Sequence, residues 1–275
     1  MRGLHARDAM KTRTISFAGS NGDTLSARLG LPEDGAPRAC ALFAHCFTCS
    51  KDLRSVVQMT QALTDEGIAV LRFDFTGLGE SEGDFADTSF SSNVGDLHAA
   101  ARWMEENLEA PAILIGHSLG GAAVLQATAA LDSVRAVATI GAPFDPAHVT
   151  DLFVHHVDEI EATGEGEVVL AGRRFTVREE FLRDLEGRHM ERVIRELGRP
   201  LLIFHSPVDQ TVGIENAGLI YEAARHPKSF ISLDDADHLL LREVDSRYVG
   251  TVLAAWASRY VEPAGGHLAA PTPGG

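Results

Sequence analysis

Six short apolar runs, each followed by a turn and a stretch of helical periodicity, set the terms on which this chain can fold. They are R-A-C-A-L-F-A-H (38–45), I-A-V-L-R-F-D (68–74), P-A-I-L-I-G (111–116), V-R-A-V-A-T-I (134–140), P-L-L-I-F-H (200–205) and K-S-F-I-S-L (228–233). They are rich in Val, Ile, Leu and Phe, as strands buried on both faces are. Between them, Leu53, Val56, Val57 and Leu63 share one helical face, with Gly67 as the stop. Val94, Leu97, Ala101, Met104 and Leu108 form a second stripe, and Ile214, Ala217, Ile220, Tyr221 and Ala224 a third. Val249, Val252, Leu253, Trp256 and Tyr260 form the last. Strand alternating with helix predicts an α/β fold, a mainly parallel sheet covered on both faces.

Two segments depart from this rhythm. Residues 15–32 alternate on either side of Asn21-Gly22, which predicts a hairpin and hence an antiparallel edge. Residues 144–198 are long, charged and irregular, with a small hairpin at V-V-L-A-G-R-R-F-T-V (168–177) and a charged helix from Glu179. A loop of that length inside a domain reads as a cap over a site. The expected organisation is a flexible N-terminus (1–13), one domain (14–263) and a linker-like, disordered tail (264–275).

Charge narrows the partners. The net charge is −15. An acidic chain is repelled by phosphate backbones and anionic lipid, so neither nucleic acid nor membrane is an expected partner. The first residues lack the apolar core of a secretory signal, and no run is long enough to span a bilayer. Three cysteines are few and odd in number, which points to a reducing compartment, the cytoplasm.

The third strand leads into G-H-S-L-G-G (116–121) and then A-A-V-L-Q-A. This is G-x-S-x-G between a buried strand and a helix, the setting in which the pattern carries chemistry. A serine on so tight a turn presents its hydroxyl, while Gly116 and Gly120 remove Cβ atoms that would clash across it. The helix N-terminus favours developing negative charge.

A serine nucleophile needs a base, and the base needs an orienting carboxylate. His238, in D-D-A-D-H-L-L after the last strand, is the expected base. His155, His156, His189 and His267 lie in charged or loose segments and read as solvated or structural. Asp209, in S-P-V-D-Q-T-V beyond the strand 200–205, is the expected acid, since open α/β sheets place ligands at strand carboxyl ends. Asp237 adjoins His238 and is poorly placed to orient its ring; Asp234 and Asp235 are spares.

Taken together, G-H-S-L-G-G, R-F-D-F-T-G-L-G-E-S-E-G (72–83), S-P-V-D-Q-T-V and A-D-H resemble the α/β-hydrolase superfamily over residues 14 to 260. The stretch 72–83 and the hairpin-bearing insertion are similar to small bacterial carboxylesterases and feruloyl esterases. A-H-C-F-T-C-S-K-D (44–52) looks closer still to hydrolase domains often fused to an OsmC-like domain. The resemblance implies a Ser118–His238–Asp209 triad, with His45 in a His-Gly-like turn, Cys46 in place of the glycine, and the backbone N–H groups of Phe47 and Leu119 as oxyanion donors. No metal or organic cofactor is implied.

The expected function is therefore a carboxylesterase-type serine hydrolase acting on small or medium-sized esters through an acyl-enzyme, with Phe144, Phe153 and Phe181 as candidate pocket residues. The same machinery would serve a thioesterase. Two other classes stay open: a non-catalytic binding protein on the same scaffold, and a thiol redox protein built on Cys46-x-x-Cys49. Zinc is disfavoured, because no second C-x-x-C completes four ligands and Cys40 lies within a strand. In the hydrolase reading Cys46 lines the pocket and Cys49 packs.

Overall fold

The computed structural model describes residues 10–33, 35–46, 49–170 and 172–261. The tail 264–275 and residues 1–9 lie outside them. The strands are β1 (Lys11–Ala18), β2 (Thr24–Leu31), β3 (Ala39–Ala44), β4 (Ile68–Phe73), β5 (Ile113–His117), β6 (Ala136–Ile140), β7 (Glu165–Leu170), β8 (Arg173–Arg178), β9 (Leu201–His205) and β10 (Lys228–Ser232). The helices are α1 (Arg54–Asp65), α2 (Phe90–Asn107), α3 (Leu119–Ala127), α4 (Val154–Thr163), α5 (Glu179–Leu185), α6 (Met190–Arg195), α7 (Glu215–Ala223) and α8 (Glu243–Ala257).

Eight strands form one sheet in the order β1-β2-β4-β3-β5-β6-β9-β10. All neighbours from β4 to β10 run parallel; β1–β2 and β2–β4 are antiparallel. The hairpin turns at Asn21-Gly22, where Gly22 has φ +92°. The side-chain period of two divides the core between the faces. In β3, Cys40, Leu42 and Ala44 join the cluster under α2, α3 and α7, whereas Ala39, Ala41 and Phe43 pack beneath α1 and α8. Strands buried on both sides carry no polar alternation, which is why the apolar runs were legible as strands.

This order locates the site. From β3 the chain crosses by α1 to β4 on one side; from β5 it crosses by α3 to β6 on the other. Right-handed crossovers in opposite directions put α1 and α3 on opposite faces. The carboxyl ends of β3 and β5 therefore flank the switch point, where open α/β sheets form a crevice.

Two segments differ from what the sequence predicts. Residues 11–13, expected to be flexible, belong to β1, with Lys11 opposite Leu31 and Arg13 opposite Leu29. Their polar side chains are exposed at the sheet edge, so the strand is held by backbone pairing that leaves no apolar signature. The segment 144–198 is also more regular than expected. It holds 3-10 turns over Pro146–Phe153, then α4, the β7–β8 hairpin, α5 and α6. Only Ile160 of α4 is buried, which hides the helix from periodicity. Gly164 ends it in the left-handed conformation at φ +88°.

Candidate active site

Ser118 stands between β5 and α3 at φ 55° and ψ −129°. For a residue with a Cβ that conformation is strained, and it persists only where its surroundings enforce it. They do so here by hydrogen bonds and by close approach. Ser118 N–H donates to Ile140 O at 2.9 Å, and Gly121 N–H donates to Ser118 O at 2.8 Å. A Cβ on Gly116 would lie 2.3 Å from Gly120 O, and one on Gly120 would lie 2.5 Å from both Ala44 O and His45 O. One on Gly121 would meet Ala142 Cβ at 2.4 Å. Gly120→Ala is accordingly expected to destabilise the fold by about 1–3 kcal/mol, because it strikes backbone that cannot rotate away. A thermal melt by circular dichroism checks this; an unchanged midpoint would contradict it.

Asp209 and His238 come together although 29 residues separate them. His238 Nδ1 lies 2.7 Å from Asp209 Oδ2, with the two side chains 11% and 2% exposed. The other carboxylate oxygen accepts the N–H groups of Thr211 at 2.8 Å and Val212 at 3.0 Å. Burial pushes the Asp209 carboxyl up, but the hydrogen bond and charge of His238 and those two N–H groups outweigh it, so it lies below its ordinary value. It is a carboxylate at neutral pH. His205, buried at the end of β9, bonds through Nε2 to Val212 O at 2.8 Å and braces the same loop.

Gly141 connects this pair to the elbow. Its φ is +53°, and a Cβ there would meet Asp209 Oδ2 at 3.2 Å and His238 Nδ1 at 3.4 Å. The preceding residue, Ile140, accepts the Ser118 N–H. The end of β6 thus touches the nucleophile's backbone on one side and the imidazole–carboxylate pair on the other.

The remaining acidic candidates are engaged elsewhere. Asp235 pairs with Arg242, and Asp237 accepts the N–H groups of Leu239 and Leu241. Asp234 is an exposed turn residue at φ 43°. His155 and His189 are exposed, His156 faces Glu159 at 3.5 Å, and His267 lies outside the described residues.

Leu119 opens α3 directly after β5, and its N–H precedes any carbonyl one turn back in the helix. Phe47 lies outside the described residues. His45 and Lys51, on either side of Cys46 and Cys49 in sequence, belong to a buried ionic cluster that the sequence reading passed over. Lys51, 1% exposed, places Nζ 2.7 Å from Asp74 Oδ2 and 2.8 Å from Glu80 Oε2. Asp74 is wholly buried and also accepts the N–H groups of Lys51 at 2.6 Å and Glu80 at 2.9 Å. His45 Nε2 lies 3.5 Å from its other oxygen. Burial would raise the Asp74 carboxyl, yet these contacts hold it well below the usual carboxylate range. The available signal was Asp74, a charged residue directly after the apolar strand β4; Lys51 stands further along the chain from β3.

The cysteines require a correction. Cys46 and Cys49 are joined by a disulfide. The expectation of free thiols, with Cys49 packing and Cys46 lining the pocket, treated the odd count as evidence of a reduced chain; the spacing instead closes a turn in which Cys49 N–H donates to Cys46 O at 3.2 Å. Cys40 is the free thiol among the described residues. Burial, and then the charge of Glu109, push it up to about 12, so it is inert at neutral pH.

Of the aromatic candidates, Phe153 and Phe181 are 4% and 2% exposed and belong to the main apolar cluster. Phe144 is half-buried against it, its N–H bonded to Asn216 Oδ1 at 2.9 Å.

A fold with its crevice at this switch point, a strained serine elbow and an adjoining His–Asp pair defines a class, and comparison with known proteins agrees. The sequence profile of the serine aminopeptidase, S33, family of hydrolases matches residues 35–163. The esterase domain of a Rhodothermus marinus protein is 51% identical, covering 92% of this chain and 100% of its own, with a TM-score of 0.75. The chain belongs to the α/β-hydrolase superfamily, among its esterase-type serine hydrolases. Est1E of Butyrivibrio proteoclasticus, solved with ferulic acid bound, shares the fold at 19% identity, covering 89% of this chain and 98% of its own, with a TM-score of 0.74. GrgF of Penicillium sp. is similar at 18% identity, covering 92% and 99%, with a TM-score of 0.73. No curated protein matches the chain significantly. Among the described residues, no helix is long and apolar enough to cross a membrane.

Proposed function

We propose that the protein hydrolyses carboxylic esters of small or medium size through Ser118, His238 and Asp209. The observation that carries this reading is the meeting of the strained Ser118 elbow and the 2.7 Å His238–Asp209 pair around the end of β6. A carboxylate accepts from Nδ1–H, which leaves Nε2 of His238 as the basic nitrogen. Ser118 Oγ attacks the ester carbonyl as Nε2 takes its proton. The tetrahedral oxyanion is held by the N–H groups of Leu119 and Phe47, each worth about 3 kcal/mol of transition-state stabilisation. His238 returns the proton to the leaving alcohol, then deprotonates the water that releases the acid. The side chains need no metal or organic cofactor for these steps.

The insertion 144–198 supplies the cap, and Phe144 is the aromatic with surface left to offer a substrate. Phe153 and Phe181 act by packing behind it. The bound ferulic acid of Est1E makes aryl esters a natural addition to short-chain esters as substrates here.

Two measurements test the reading. A fluorophosphonate should modify Ser118, as read by peptide mass spectrometry, and abolish turnover of p-nitrophenyl esters from acetate to octanoate and of methyl ferulate. Iodoacetamide without reductant should leave turnover intact, because two thiols are joined and the third is buried. Labelling at another residue, or inhibition by the alkylator alone, would overturn it. A thioester panel run in parallel decides between oxygen and sulfur leaving groups.

A further inference from the structure

The residue before the nucleophile makes a contact that the mechanism above does not use. His117 ends β5 opposite Ile140 and is 2% exposed. Its Nε2 lies 2.7 Å from the backbone carbonyl oxygen of His238. The two imidazole rings lie tilted at 40° with centroids 4.9 Å apart. A carbonyl oxygen can only accept, so Nε2 of His117 carries the hydrogen and donates it.

We propose that His117 is a positioning residue for the base, tying the main chain of His238 to the peptide that carries Ser118. The inference rests on the hydrolase reading. Through it, nucleophile and base are joined by one side chain and one peptide unit, although 120 positions apart in sequence. Such a tie matters because the loop bearing His238 has an irregular backbone: Asp234 and Leu240 both have positive φ, 43° and 54°. Its other hydrogen bonds include one to β9, where Leu233 N–H donates to His205 O at 2.9 Å, those within the loop at Asp237, and the pair of Asp235 with Arg242 at the start of α8. None of these reaches the elbow. The His238–Asp209 bond fixes the direction of the ring; the His117 bond fixes how far its backbone stands from Ser118.

The burial of His117 suits this task. Desolvation, and then the neighbouring His238, push its imidazole down to about 3, against a partial upward pull from the hydrogen bond. It therefore stays neutral and keeps one tautomer while His238 gains and loses protons beside it. A charged ring there would repel the imidazolium formed in the reaction.

The test compares His117→Phe, which keeps a ring but has no donor, with His117→Gln, whose amide N–H reaches toward the Nε2 position. His117→Phe is expected to lower kcat on p-nitrophenyl butyrate by about 30- to 100-fold, the scale of a small misplacement of reacting groups, with KM unchanged within about threefold. His117→Gln is expected to recover most of that loss. Equal losses in the Phe and Gln variants, or a Phe variant within about threefold of wild type, would overturn the proposal. If the Phe variant does not melt cooperatively, His117→Met, a flexible donor-free side chain, replaces it under the same criteria. Wild type and Ser118→Ala are assayed alongside. Equal rates for those two would refute the hydrolase reading itself. A dead Ser118→Ala beside an unaffected His117→Phe would refute only the positioning role.

Discussion

Ser118→Ala is expected to reduce kcat by about 10⁶-fold on any ester the wild type turns over, and Asp209→Asn by about 10⁴-fold. The two losses have different causes. Alanine removes the attacking oxygen and leaves the oxyanion donors and the binding surface in place. Asparagine keeps the shape at Asp209, including acceptance from Thr211 and Val212 through one oxygen. It can, however, offer an N–H to His238, which favours the tautomer with the proton on Nε2. The ring would then hold its hydrogen where it should accept one. Because the contacts of Asp209 draw its carboxyl below the ordinary 3.8, it is ionised throughout neutral pH, and its stabilising effect fades only as pH falls through the lowered value. The Asn defect should therefore persist across the neutral range. Steady-state kcat and KM, with melts to confirm folding, measure both. A loss under about tenfold for Ser118→Ala would remove the serine from the chemistry.

What could be read from sequence depended on whether a residue acts through local pattern or through distant contact. The central strands were legible because burial on both faces leaves unbroken apolar runs. Ser118 was legible because the elbow's constraints, Gly116 and Gly120, lie within two residues of it. Asp209 and His238 could be ranked by their place after strands, since the fold brings strand carboxyl ends together. The disulfide was not legible: the C-x-x-C spacing permits linked or free thiols, and no local rule chooses. The roles of His117 and His205 were equally hidden. A histidine closing an apolar strand looks the same whether its ring meets solvent or, as here, a carbonyl on a loop 121 or 7 residues away. The Lys51–Asp74 pairing was hidden for the same reason: a charge directly after β4 marks Asp74, but nothing in the sequence names Lys51 as its partner.

The Lys51–Asp74 pair gives the largest expected effect on stability. Lys51→Met keeps the aliphatic stem but leaves Asp74, which is wholly buried, without its ammonium partner; the expected loss is about 3–5 kcal/mol. Asp74→Asn leaves Lys51 with exposed Glu80 as its remaining short contact, so its loss should fall at or below the lower end of that range. The double variant should recover much of the deficit, because neither buried charge is then stranded, and the coupling in a double-mutant cycle reports the pair directly. Acidity supplies an independent check. Asp74 is held well below its unfolded value of 3.8, so its contribution is complete above that pH and is lost as pH falls toward the depressed value. Below pH 3.8, the gap in urea-unfolding free energy between wild type and Asp74→Asn should narrow by up to about 1.4 kcal/mol per pH unit. Above about pH 5 it should be flat. Activity should follow the same cluster, because it holds His45, whose carbonyl oxygen lies against Gly120 of the serine elbow. If Lys51→Met and Asp74→Asn are each as stable as wild type at pH 7, the cluster does not hold His45 and Lys51 in place, and both must owe their positions to the Cys46–Cys49 link and the packing of α3 against β3.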